Sequence, residues 1–324
     1  MSETGAPTSI AVLGGDAREV IMAGLLRHDG YDVATYGLGP AACQSLAPYD
    51  GLATVAELEA ASALDAVAGR RWLLCPAPGL GPDDVVYAPY AQHPILLNGG
   101  LLRASEVAQG GIVLGRASSS LRALAAAVPT TVYETKDDEA LRVRVATSAA
   151  EGVLALLVGR TDQVLRDQRV LVLGYGATGS ALADRLVLLG SRVTVAARRE
   201  ESLARAEQHG ALGVAFDDRA AAMADATIIV NTVPSTASMP IEMLKNLDGC
   251  LLIDIASPPG GTDHAAAAAV GCAVTWIRGV AGERAPRTAG ELQYRFVRRV
   301  IDSAGQGAGS GAWAGSVRAT TDMT

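Results

Sequence analysis

Short aliphatic runs alternate with Ala- and Leu-rich stretches of helical length along most of this chain. The first run, Ser9–Leu13, meets Gly14-Gly15-Asp16 and then a helical pattern that reaches Leu26. Comparable runs follow at Asp32–Tyr36, 72–75, 95–98, Gly111–Leu114 and 130–133. Runs that are apolar throughout, rather than at every second position, suit strands covered on both faces. Joined by helical segments, they predict an open parallel sheet of the α/β class. The Gly- and Pro-rich stretches 37–51 and 76–94 read as loops. Residues 137–158 have another character. Asp137, Asp138 and Glu139 lead into a stretch without Pro, and acidic residues suit the positive end of a helix. One long helix is expected there, joining two domains. A second strand–helix series begins at Gln168 and runs to about Val274, followed by a helix around 286–301.

The second series opens on a strong local pattern. Arg169–Leu173 is a strand, Gly174-Tyr175-Gly176-Ala177-Thr178-Gly179 follows directly, 180–189 is helical, and 191–196 is a second strand. In such a unit one glycine permits the turn, one lets a pyrophosphate approach the backbone, and one lets helix and strand pack closely. The helix N-terminus adds unpaired N–H groups for the phosphates. A glycine triplet alone is weak evidence, but here it lies inside a complete βαβ unit, which predicts dinucleotide binding. The end of the second strand selects the nucleotide. An NAD site commonly carries Asp or Glu there, whereas this chain has Ala197-Arg198-Arg199. Two guanidinium groups without a carboxylate favour the 2′-phosphate of NADP(H).

The expected architecture is therefore α/β, with two Rossmann-like domains, parallel sheets, a cleft between the domains and a long linking helix. The boundaries read as 1–136 for a substrate domain, 137–158 for the helix, 159–302 for the NADP domain with its C-terminal helix, and 303–324 for a tail too poor in large apolar residues to order.

Composition narrows the partners. A net charge of −7 supplies no general basic field, so nucleic acid is not expected. No apolar run is long enough to span a bilayer, and the N-terminus lacks a signal-peptide pattern, so a cytoplasmic protein is expected. Cysteines 43, 75, 250 and 272 lack metal-ligand spacing.

More of the nucleotide edge is expected from two further strand ends. The strand over 227–230 ends in Asn231-Thr232-Val233-Pro234, and the strand over 250–255 runs into Ser257-Pro258-Pro259-Gly260-Gly261-Thr262-Asp263. Both turns fall where cofactors lie in such sheets. His28, His93, His209 and His264 are weak acid–base candidates, His264 alone being near the expected cleft.

In order along residues 10–300, these pieces resemble the A-type component of bacterial dipicolinate synthase. The carriers are Gly14-Gly15-Asp16-Ala17-Arg18, the loop at 174–179, Asn231-Thr232-Val233-Pro234, the stretch from Asp254 to Asp263, and Ala285-Pro286-Arg287-Thr288-Ala289-Gly290. The resemblance implies an NADP-dependent oxidoreductase that forms dipicolinate from a hydroxylated tetrahydrodipicolinate, working with a flavoprotein-like second subunit. Self-association into a homo-oligomer is also expected. For such a dicarboxylate, Arg18, Ser257, Arg287 and Thr288 are the candidate substrate contacts, with a salt bridge to Asp16 or Glu19 as the equal alternative for Arg18. Asp16, Glu151 and Asp263 are the candidate proton carriers. The chain departs from the family's pattern at Ser148 and Ala149, at Ala281 and at Glu19. Two alternatives therefore stay open: an NADP-dependent imine or hydroxy-acid oxidoreductase of specialised metabolism, and a non-catalytic nucleotide-binding partner subunit.

Overall fold

The computed structural model describes residues 7–39, 53–245, 247 and 249–305. It divides into two compact units, Met1–Arg142 with Gly290–Thr324, and Val143–Ala289. Each is a parallel sheet with alternating helices, giving two Rossmann-like units of the α/β class.

The first sheet has five strands: β1 (Ser9–Leu13), β2 (Asp32–Tyr36), β3 (Trp72–Leu74), β4 (Gly111–Leu114) and β5 (Thr131–Glu134). Their order is β2-β1-β3-β4-β5. The second has β6 (Arg169–Leu173), β7 (Arg192–Ala197), β8 (Leu212–Ala215), β9 (Ile228–Asn231), β10 (Leu251–Asp254) and β11 (Val274–Trp276), in the order β11-β10-β9-β6-β7-β8. Six helices matter below: α1 (Ala17–His28), α2 (Glu139–Arg160), α3 (Ala177–Leu188), α4 (Glu200–Gln208), α5 (His264–Ala269) and α6 (Pro286–Gly305).

Strand β6 shows why the apolar runs are continuous. Successive side chains point to opposite faces. Val170 and Val172 enter one buried layer with Leu182 and Val195, while Leu171 and Leu173 enter the other with Ile229 and Met223. Both faces are covered by apolar side chains, so Val170–Leu173 is apolar throughout, and the one charged residue, Arg169, sits at the part-exposed start of the strand.

Three expectations change. The run at 95–98 is not a strand. Ile95 and Leu97 are buried, but they meet Val86 and Asp84 through isolated backbone bonds, Val86 N–H to Ile95 O at 2.8 Å and Leu97 N–H to Asp84 O at 3.0 Å. Asn98 then caps a short helix, accepting from Gly100 N at 2.9 Å and Leu101 N at 3.2 Å, so side-chain capping ends the extended stretch. The last helix continues through 303–305, and the remainder of the expected tail lies outside the described residues, as does 40–51 of the first loop. Finally, from Gly290 onward α6 packs with the first unit rather than with the nucleotide unit. A side chain at Gly290 would come within 2.8 Å of the Arg18 carbonyl oxygen and the Ile21 Cβ. Gln293 Nε2 donates to Glu19 at 3.0 Å, Arg298 pairs with Asp29 at 3.0 Å, and Arg299 pairs with Asp138. The linking helix begins at Glu139 and ends at Arg160.

Among the described residues, no helix is long and apolar enough to cross a membrane.

Candidate functional site

Where strand order reverses about a central strand, a crevice opens at the carboxyl ends of the strands. In the second sheet that point lies between β6 and β9. Gly174 makes the turn out of β6 with φ +92°, a conformation that favours glycine. A Cβ on Gly174 would sit 2.6 Å from Thr232 Oγ1 and 2.7 Å from Val233 Cγ2. Gly179 is tighter still, since its Cβ would lie 2.1 Å from the Gly174 carbonyl oxygen. These two glycines let α3 and the turn after β9 close onto the loop.

Gly176 has a different job. It is exposed, it is the N-cap of α3, and no side chain caps the helix there. A Cβ on it would meet nothing within 4 Å. The loop thus offers open space in front of the first-turn amides at Ala177 and Thr178, which fits a pyrophosphate. Tyr175 points the other way. It is buried, and its hydroxyl donates to Asp184 Oδ1 at 2.7 Å, which fixes the loop from beneath.

Arg198 and Arg199 follow the last residue of β7, and both are exposed. Neither is held in an ion pair among the described residues, and no carboxylate ends the strand. At β9, Thr232 is stitched to β6, its hydroxyl donating to Leu173 O at 2.8 Å. Asn231 is wholly buried and accepts from Val233 N at 3.1 Å. Pro234 and Ser257 are exposed at the same sheet edge. The glycine loop, the arginine pair, residues 231–234 and Ser257 are therefore gathered along one edge of one sheet.

The candidate proton carriers fare differently. Asp263 is the N-cap of α5 and accepts from Ala266 N at 3.0 Å. The carboxylate that meets His264 is instead Asp254, fully buried at the end of β10, with Oδ2 3.0 Å from His264 Nε2. Glu151 is exposed on α2, and Arg287 and Thr288 are exposed in the first turn of α6.

In the first unit, Asp16 caps α1 and takes Arg18 in a two-point pair, Nε to Oδ1 at 2.9 Å and Nη2 to Oδ2 at 2.7 Å. Arg18 is 4% exposed. The Asp16 carboxylate and the matching edge of Arg18 are engaged by each other, the local ion pair that is the alternative to a substrate contact for Arg18. Glu19, read from the sequence only as a departure, is the centre of this cluster. It accepts from Asp16 N at 2.8 Å, Ala77 N at 3.2 Å and Gln293 Nε2 at 3.0 Å. The Ala77 bond ties the first turn of α1 to the loop that follows β3.

Burial, then the neighbouring Asp16, push the Glu19 carboxyl up to about 7. The fold thus favours the protonated form. The stabilisation is complete below the ordinary value of 4.5 and is lost as pH rises through about 7. A shift of that size corresponds to roughly 3 kcal/mol. Glu19→Gln is expected to reduce this fall, which denaturant titrations at about pH 5 and about pH 8 would show as a smaller stability difference than in the unaltered chain. Cys75, also buried beside Glu19, has its thiol pushed up to about 12 and carries no thiolate at neutral pH.

The comparisons with known proteins fit this division. A family model for the N-terminal domain of the dipicolinate synthase A component matches residues 9–135, and one described as NADP oxidoreductase coenzyme F420-dependent matches 169–258. The dipicolinate synthase A component of Bacillus subtilis (strain 168) is 31% identical over 166 residues, covering 51% of this chain and 55% of that relative. The matched part thus spans about half the length of the curated relative. Among solved structures, the corresponding dipicolinate synthase component from Bacillus halodurans aligns with a TM-score of 0.79 at 22% identity, over 91% of this chain and 98% of that one. The dipicolinate synthase structure from Bacillus subtilis aligns with a TM-score of 0.69 at 25% identity, over 93% and 98%. A transhydrogenase from Sinorhizobium meliloti shares the fold, with a TM-score of 0.59 at 14% identity over 92% and 94%. Matched in its first sheet by that component's N-terminal domain and in its second by an oxidoreductase nucleotide domain, the chain resembles the A-type component of dipicolinate synthase.

Proposed function

We propose that this chain is an NADP(H)-dependent oxidoreductase acting on a hydroxylated tetrahydrodipicolinate, or a similar cyclic imine dicarboxylate, to give dipicolinate. The observation that carries the proposal is the open Gly176 cradle, followed at the end of β7 by two exposed arginines in place of an acid. The first-turn amides of α3 would hold the pyrophosphate, Arg198 and Arg199 the 2′-phosphate, and residues 231–234 the rest of the nucleotide. Bound there, NADP⁺ supplies a hydride acceptor. Forming the pyridine ring from the hydroxylated tetrahydro acid requires loss of water, one hydride and one proton. The curated relative's name supports the product, and the oxidoreductase-type second unit supports the redox step.

The chain's own groups set the substrate's charge. Arg287 and Thr288 open α6, where a guanidinium, a hydroxyl and helix N-terminal amides occur together. They are the proposed carboxylate contacts, with Ser257 at the sheet edge. Glu151 and Asp263 remain proposed proton carriers, and a flavoprotein-like second subunit is the proposed partner of a cytoplasmic enzyme.

Loss of a charge-assisted hydrogen bond costs about 1.5–3 kcal/mol, or roughly tenfold to hundredfold. Arg287→Ala should therefore raise KM for the dicarboxylate by that factor while NADPH affinity stays constant. Steady-state kinetics beside calorimetric titration would check this. Unchanged dicarboxylate kinetics would favour an uncharged imine as substrate.

A further inference from the structure

In the second sheet, β7 and β8 lie on one side of β6, and β9, β10 and β11 on the other. A dinucleotide laid over the glycine loop puts its adenosine half toward the end of β7, where the arginines are. Its nicotinamide half then falls over the ends of β9 and β10. Two turns shape that second half, 231–234 after β9 and 255–261 after β10. Both hang on one carboxylate.

Asp254 is completely buried. Its Oδ1 accepts from Asn231 Nδ2 at 2.8 Å and from Ala256 N at 3.0 Å. Its Oδ2 accepts from Gly261 N at 2.7 Å and lies 3.0 Å from His264 Nε2. Asn231 passes the constraint on, bonding Val233 N at 3.1 Å and Val233 O at 3.0 Å. Gly261 presses directly on it, since a Cβ there would lie 2.2 Å from Asn231 Nδ2. His264 is held in turn by Trp276, stacked at 4.5 Å with the planes 3° apart. The Trp276 indole N–H closes the ring by donating to Ala256 O at 2.9 Å. A buried carboxylate costs stability relative to an apolar side chain of similar size. What it gains here is geometry, because one group with four donors fixes two turns at once.

We propose that Asp254, braced by His264, is a positioning residue pair for the nicotinamide half of the bound nucleotide, acting through Asn231 and the 255–261 turn. The proposal rests on the assignment of NADP(H) to this unit. It separates the two halves of the nucleotide: disturbing the pair must weaken contacts over β9 and β10 and spare those at the glycine loop and the arginines.

Calorimetric titration of the full chain with NADPH, and with 2′-phospho-ADP-ribose, which lacks nicotinamide, reads that separation. Asp254→Asn and His264→Ala are expected to lose about tenfold or more in NADPH affinity while the fragment binds within about twofold of the unchanged chain. His264→Gln, whose amide places a donor where Nε2 stood, should restore NADPH binding. If Asp254→Asn does not fold, the two His264 variants, at a part-exposed side chain, carry the test alone. Equal losses for both ligands, or no loss for either, would overturn the positioning role. An unaltered chain that binds neither ligand would instead remove the nucleotide assignment, and the pair's role with it.

Discussion

Replacing Arg198 and Arg199 together by alanine is expected to weaken NADPH by about tenfold to hundredfold while NADH changes little. Both side chains are exposed after β7, and no carboxylate occupies the strand end that would bind ribose hydroxyls. An exposed guanidinium can turn to a 2′-phosphate without first leaving a buried partner. Each charge-assisted contact to phosphate contributes about 1.5–3 kcal/mol, so the lower bound holds even if one arginine does most of the work. The effect should shrink at high ionic strength, since exposed charges are screened. Equal losses for NADPH and NADH would mean that the pair shapes the loop rather than reading the phosphate.

The glycine loop yields an equally large and more diagnostic contrast. Gly176→Val should abolish nucleotide binding with little change in Tm, because its Cβ enters open space in the protein and only a ligand would meet it. Gly179→Val should do the reverse first. With its Cβ 2.1 Å from a backbone oxygen, the helix must move off the loop, and a loss on the order of 3 kcal/mol or more in stability is expected. Thermal melts and nucleotide titrations on the two variants separate the roles. If Gly176→Val bound NADPH normally, the open face of the loop would not be the pyrophosphate site.

The parts of this protein that were legible in its sequence are those whose causes are local. Strand, glycine turn, helix and second strand follow one another within about thirty residues from Arg169, so spacing alone fixes their arrangement. The long helix announces itself by its acidic start and unbroken run. Contacts set by tertiary packing were not legible. The apolar face of α6, with Phe296, Val297 and Val300 buried, is plain as a helical period, but nothing in that period names the sheet it covers. The carboxylate that meets His264, Asp254, lies ten residues earlier in the chain, while the adjacent Asp263 caps its own helix. The available signal was a charged residue ending the otherwise apolar strand Leu251–Asp254, which needs buried donors around it. For Arg18 the sequence leaves a substrate contact and a local ion pair equally open, and in the fold it pairs with Asp16. At 95–98 the short apolar run Ile95-Leu96-Leu97 imitates a strand, while the Asn98 cap starts a helix directly after it.

Calorimetric titration of the unaltered chain with NADPH and, separately, with NADH tests most directly the proposal that the second unit is an NADP(H) site serving an oxidoreductase. One site per chain, with NADPH bound at least about tenfold more tightly than NADH, is the result the arginine pair and the open glycine loop require. Equal affinity for the two, or binding of neither, would contradict it.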